Sequence, residues 1–207
     1  LELDSARVAV AVMPLLSKQV QVQRIEVEGL KATLVKRKDG TLNIADLTGG
    51  KFAKRRNQLN KFQRENNAEV IILKEEDNAQ ILKCLDRWYE NYGDEDPFLE
   101  MERESVRRML PNLWKLGGMG IRVQVQEHMC GISWAVPITD ETWLVPVEKA
   151  PREVKGMYQY VNWALANSLP SHVKILNREA DLGIEGLRTA KERYNPMGFE
   201  KKITFWF

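Results

Sequence analysis

Between residues 121 and 147, three short apolar runs follow one another with only turns between them. Ile121, Val123 and Val125 alternate with polar neighbours, Gly131 to Val136 is a compact run, and Trp143 to Val147 is another. Alternation with a period of two puts one side of a strand against a core and the other toward water. The connections, one holding His128 and the other Thr139-Asp140, are of hairpin length. Strands joined in that way run antiparallel. A meander of this kind cannot stay bare, and the sequence on either side supplies helices to cover it.

Upstream, Val70-Ile71-Ile72-Leu73 reads as a buried strand. Asp77 or Asn78 suits a helix N-cap. Ile81, Leu82, Leu85, Trp88, Tyr89 and Tyr92 then share one helical stripe, which Gly93-Asp94 ends. A second helix carries Val106, Met109, Leu110, Leu113 and Trp114; Pro111, lacking a backbone N–H, is expected to kink or split it. Downstream, a helix starting near Lys155-Gly156 buries Met157, Tyr160, Val161, Ala164 and Leu165. His172 to Leu176 reads as a strand, Ile184 to Tyr194 as a helix stopped by Asn195-Pro196, and Phe199 to Phe207 as a last strand. From residue 68 the order is β, α, α, β, β, β, α, β, α, β. Helical crossovers bring the later strands in beside parallel neighbours. The fold class expected is α/β (α+β), a mixed sheet flanked by helices and preceded by a short β-rich segment.

Residues 1–47 differ in character. Val20, Val22, Ile25 and Val27 alternate with polar residues, and Lys38-Asp39-Gly40 is a turn signal. After Gly49-Gly50 comes a basic stretch without an acid. It carries Lys51, Lys54, Arg55, Arg56, Lys61 and Arg64, with Phe52, Leu59 and Phe62 as its apolar positions, and can form a helix. Two units are therefore expected, 1–50 and 51–207. Net charge is +2, so overall charge calls for neither nucleic acid nor membrane. Cys84 and Cys130 stand outside any Cys-x-x-Cys pair, so no disulfide framework is expected and a reducing, cytoplasmic setting fits. His128 and His172 are too few and too far apart for a zinc site of the usual type, and no metal is expected. The apolar run from Val8 to Leu16 is broken by Pro14 and too short to span a bilayer, and the first residues show no signal-peptide pattern.

Three stretches carry a resemblance. Asn177-Arg178-Glu179-Ala180-Asp181-Leu182-Gly183-Ile184-Glu185-Gly186-Leu187-Arg188 is followed by Ala190-Lys191 and Tyr194-Asn195-Pro196. Upstream lie Lys54-Arg55-Arg56-Asn57-Gln58-Leu59-Asn60-Lys61-Phe62, and Val147-Glu148-Lys149-Ala150 leading to Lys155-Gly156-Met157-Tyr158-Gln159. In this order and spacing they resemble the C-terminal domain of phosphatidylglycerol lysyltransferases and their soluble relatives. The resemblance implies an acyltransferase-like (GNAT-type) lobe over residues 51–207. Two such lobes stand in tandem in that family, and this one matches the second, so the first would be supplied by another chain. Over a shorter span, residues 1–47 resemble the N-terminal region of AsmA-like envelope proteins. The carriers are Leu3-Asp4-Ser5-Ala6, Leu15-Leu16-Ser17-Lys18, Val22 to Gly29, and Asp39-Gly40-Thr41-Leu42-Asn43-Ile44.

What the first resemblance implies is transfer of an activated acyl group to an amine or hydroxyl, such as a lipid headgroup. GNAT enzymes hold the acyl-CoA pyrophosphate at a helix N-terminus with Arg/Gln-x-x-Gly-x-Gly/Ala. Here Arg152-Glu153-Val154-Lys155-Gly156-Met157 places the glycine one position late and lacks the final small residue. An aminoacyl-tRNA donor is accordingly favoured over acyl-CoA, and Gly156 also reads as a close-packing helix start. Glu148, Glu179 and Asp181 are the candidate catalytic carboxylates, able to take a proton from the attacking group. Asp181 reads equally well as a helix cap. Lys149, Lys155, Gly156, Asn177, Arg178, Arg188, Lys191 and Tyr194 are candidate substrate-binding residues. Lys54, Arg55, Arg56 and Lys61 are candidates for tRNA phosphates, against the plainer reading of a solvated helix face. Two other functions stay open: a non-catalytic binding module of the same fold, and an AsmA-like envelope protein.

Overall fold

The computed structural model describes residues 24–35, 50–92, 97–126, 129–179, 181, 184–194 and 196–206. Its strands are β1 (Arg24–Val35), β2 (Glu69–Ile72), β3 (Met119–Gln126), β4 (Met129–Pro137), β5 (Thr142–Lys149), β6 (Ile175–Asn177) and β7 (Gly198–Trp206). Its α-helices are α1 (Ala53–Glu65), α2 (Asn78–Tyr92), α3 (Pro97–Leu113), α4 (Met157–Ser168) and α5 (Glu185–Glu192). From residue 68 the order is the one expected. The turn at Lys38-Asp39-Gly40, the Val8 to Leu16 run, Gly93-Asp94, His128 and Phe207 lie outside the described residues.

One mixed sheet of seven strands runs β2-β3-β4-β5-β6-β1-β7. The meander β3–β4–β5 is antiparallel, as hairpin-length turns require. β6 returns parallel to β5 after the α4 crossover, and the two share only the pairs Thr142↔Ile175, Trp143↔Leu176 and Leu144↔Asn177. Beyond Leu144, β5 runs on to Lys149 without this neighbour. β1 pairs antiparallel with β6 on one side and with β7 on the other, so the strand from the β-rich segment sits inside the same sheet.

Helices cover both faces. On one, α1 and α4 bury Leu59, Phe62, Met157, Val161 and Leu165 against Ile121, Val123 and Val145. On the other, α2 and α3 bury Ile81, Leu85, Leu110 and Leu113 against Ile132, Trp134 and Val147. The close approach of α4 to β4 depends on Gly131. A Cβ there would lie 2.5 Å from Val161 Cγ2.

Three expectations are corrected. Of the two outcomes expected at Pro111, the split does not occur: α3 continues to Leu113, the missing N–H costing one bond with only two helical residues beyond it. The strand expected from His172 starts only at Ile175: Val173 N–H donates to Pro170 O, and Lys174 and Ile175 N–H both donate to Glu141 O, which makes the preceding segment a turn. Cys84 and Cys130 are disulfide-bonded, with Cα atoms 6.8 Å apart across 46 residues of sequence. The chain brings them together because α2 packs on β4.

Candidate functional site

The site lies where β5 and β6 part company, just past the carboxyl end of β6, a place where open sheets take ligands. Glu148 stands near the end of β5. Its Oε1 accepts from Arg178 Nη2 at 2.7 Å and its Oε2 from Asn162 Nδ2, also at 2.7 Å. Asn162 is buried on α4, and Arg178 directly follows β6. The Glu148 and Arg178 side chains are only 14% and 12% exposed. With both oxygens engaged, Glu148 is an anchored counter-ion to the guanidinium and not a free base.

Tyr194 follows α5 and fills the space beneath. The Arg178 guanidinium carbon is 5.1 Å from its ring centroid, and so is that of Arg55. Cations over a phenol face are held by the ring quadrupole. Burial pushes the Tyr194 phenol pKa up. Arg55 was expected to face solvent and contact nucleic acid; instead it is 7% exposed, with Nη1 donating to Gln58 Oε1 at 3.2 Å. Burial lowers its pKa, and the neighbouring Arg193 and Arg178 push the same way while Tyr194 opposes them.

Lys191 on α5 donates its ammonium to the backbone carbonyls of Arg178 (2.6 Å) and Glu179 (2.7 Å). Burial, reinforced by Arg178, lowers its pKa from 10.5 to about 8. The carbonyls are presented by a bend in which Glu179 adopts φ 59°, the left-handed region that residues other than glycine seldom enter. Asn177, buried at the end of β6, holds that bend: its Oδ1 accepts from Glu179 N–H at 3.0 Å. Strained backbone of this kind persists where the surroundings fix it, and it gathers at functional sites. Among the described residues the Glu179 carboxylate has no hydrogen-bond or ion-pair partner.

Asp181 is 1% exposed and binds Arg188 Nε at 2.6 Å. Ile184 is the N-cap residue of α5 and makes no side-chain cap bond, and the Asp181 backbone carbonyl accepts from Ile184 N–H. Lys149, one residue past Glu148, points to the opposite sheet face, as strand geometry dictates. There its ammonium meets Glu102 Oε2 at 2.8 Å and lies 4.1 Å from the Trp88 ring centroid. Lys155 is exposed ahead of α4. Gly156 caps α4 with φ 89°, and a Cβ on it would meet Gln58 O and Phe62 Cβ at 3.2 Å each, so it is a point of close contact between α1 and α4. Lys54 is exposed, Arg56 half-buried, and Lys61 is exposed beside Glu65.

The structure therefore joins Glu148, Asn177, Arg178, Glu179, Lys191 and Tyr194, adds Arg55 and Asn162, and leaves Lys149 and Lys155 elsewhere. Asn162 was missed. Its signal was a polar residue set among Tyr160, Val161, Ala164 and Leu165 in a helix buried nearly all round. No helix among the described residues is long and apolar enough to cross a membrane.

Residues 41–204 match the family model for the C-terminal domain of phosphatidylglycerol lysyltransferase. Among solved structures, the chain is similar to a conserved protein of unknown function from Bacteroides thetaiotaomicron VPI-5482, at 28% identity and a TM-score of 0.79, covering 89% of this chain and 62% of that one. It also shares its fold with the C-terminal DUF2156 domain of a candidate lysylphosphatidylglycerol synthetase from Agrobacterium fabrum, at 11% identity and a TM-score of 0.57, covering 88% and 60% respectively. A functionally unknown conserved protein from Staphylococcus epidermidis ATCC 12228 is a further likeness, at 13% identity and a TM-score of 0.51, covering 86% and 62%. The chain thus spans about three-fifths of each of these structures. No curated protein matches it.

Proposed function

Because the chain belongs to the phosphatidylglycerol lysyltransferase C-terminal family, we propose that it is the GNAT-type lobe of an aminoacyl or acyl transferase. It would move an activated acyl group, with aminoacyl-tRNA the favoured donor, to an amine or hydroxyl such as that of a lipid headgroup. One observation carries this reading. The three sequence stretches that bear the family resemblance, far apart along the chain, meet around Tyr194 through Arg55, Glu148 and Arg178.

The chemistry asks little covalent work of the protein. The acceptor nitrogen or oxygen attacks the ester carbonyl and loses its proton, negative charge collects on the carbonyl oxygen, and collapse of this intermediate breaks the ester C–O bond, the departing ribose hydroxyl taking up the proton. Positioning the two reactants and stabilising that oxyanion are the main levers. In this proposal Arg178 and Lys191 supply the positive field. Glu179 takes the proton, since Glu148 and Asp181 are both tied to arginines. Lys54, Arg56 and Lys61 on α1 would contact donor phosphates.

The test is transfer of a labelled aminoacyl group from charged tRNA to phosphatidylglycerol vesicles or small amines, with acyl-CoA as the competing donor. Transfer is expected with charged tRNA, and Glu179→Gln is expected to lower kcat by about a hundredfold or more, the range of a lost general base. No transfer with any charged tRNA, under conditions where a two-lobed relative works, would sink the proposal and favour a binding module of the same fold.

A further inference from the structure

We infer that Arg55 and Arg178, stacked on Tyr194, form an interior receptor for an oxyanion of the phosphodiester or carboxylate class. The inference names the substrate chemistry of the site proposed above and so rests on the transferase reading.

Arg55 is 7% exposed, yet among the described residues its guanidinium has no carboxylate partner and donates only to Gln58. Arg178 spends Nη2 on Glu148, while its Nη1 is buried with no hydrogen-bond partner among the described residues. A guanidinium carries five N–H donors in a planar fork suited to an oxyanion. Leaving a desolvated donor such as Arg178 Nη1 empty is costly, and a ring face returns only part of that cost.

The local charge points the same way. Arg193 and Arg178 both bear on Arg55, and Arg178 on Lys191, while Glu148 is engaged by Arg178 and Asp181 by Arg188. The lowered pKa values of Arg55 and Lys191 agree with a site short of an anion.

The test is binding without turnover. Dimethyl phosphate and acetate are titrated into the full chain by calorimetry, with arginine side-chain 15N signals followed by NMR and sodium chloride as the ionic-strength control. Saturable binding of either probe is expected, with guanidinium signals moving in step. Preference for dimethyl phosphate would assign a phosphodiester, and preference for acetate a carboxylate. Arg55→Gln is expected to weaken binding at least tenfold, and Lys83→Gln, exposed on α2, to leave it unchanged. If Arg55→Gln does not fold, Arg55→Lys decides, since it keeps the charge and loses the fork; at least threefold weakening is expected. Signals that drift only with ionic strength, or an Arg55 variant that binds like wild type, would overturn the inference. Anion binding with no acyl transfer would instead count against the transferase reading alone.

Discussion

Arg178 takes its place from four residues on three elements and the turn after α5: a carboxylate from β5, a ring following α5, a lysine of α5 on its own carbonyl, and Asn162 of α4 steadying the carboxylate. Glu148→Gln would leave that guanidinium buried without its counter-ion. Breaking such a pair from one side costs about 3–5 kcal/mol, and urea unfolding should register a loss of that order. Lys191 has the opposite character, because here the folded state resists the charge. Its pKa falls from 10.5 to about 8, so between those values the unfolded chain binds the proton more tightly and stability rises with pH. Below about pH 8 both states are protonated and the penalty is complete. Lys191→Met is expected to flatten that rise, as thermal melts at pH 7 and 10 would reveal. Of these residues, Glu148, Arg178, Glu179 and Lys191 could be singled out from sequence, because they fall within or beside stretches that carry the family resemblance. Arg55 was misread as one more charge in a basic run. It stands three residues after Phe52 and four before Leu59, on the buried stripe of α1, and that spacing was the available signal.

At the level of elements, the central meander was legible because period-two alternation and hairpin turns are local properties. The limits of β6 were not, since its shortness comes from a turn that Pro170 and Glu141 organise through backbone bonds. The Cys84–Cys130 bond was equally hidden, because nothing local to either cysteine tells that α2 lies across β4. Gly131 shows how tightly such a contact is built. Gly131→Ala would drive a methyl group to 2.5 Å from Val161 Cγ2, forcing α4 away from β4. Overpacking of this kind costs about 1–3 kcal/mol, which chemical denaturation should resolve. The same displacement would shift Asn162, the next residue of α4, and loosen its hold on Glu148.

For the molecule as a whole, the feature that no local pattern announces is the seat of β1. Its alternating residues mark it as a strand, but its two neighbours lie more than a hundred residues downstream. The family match begins at residue 41, after this strand, and yet the strand completes the sheet. A chain starting at residue 41 is expected to lose protection of the β7 amides in hydrogen exchange and to melt at a lower temperature. If β7 stays protected in that truncation, the interior position of β1 contributes nothing to stability.

The pairing of Arg24 with Trp206 has a consequence in time. A ribosome releases β1 long before it has made β7, so the strand must wait, with both edges bare, for almost the whole domain to be translated. Closing so long a loop is slow, and an unpaired strand invites other chains to pair with it in the meantime. Faithful production of this protein depends on keeping that early strand covered until its final neighbour emerges.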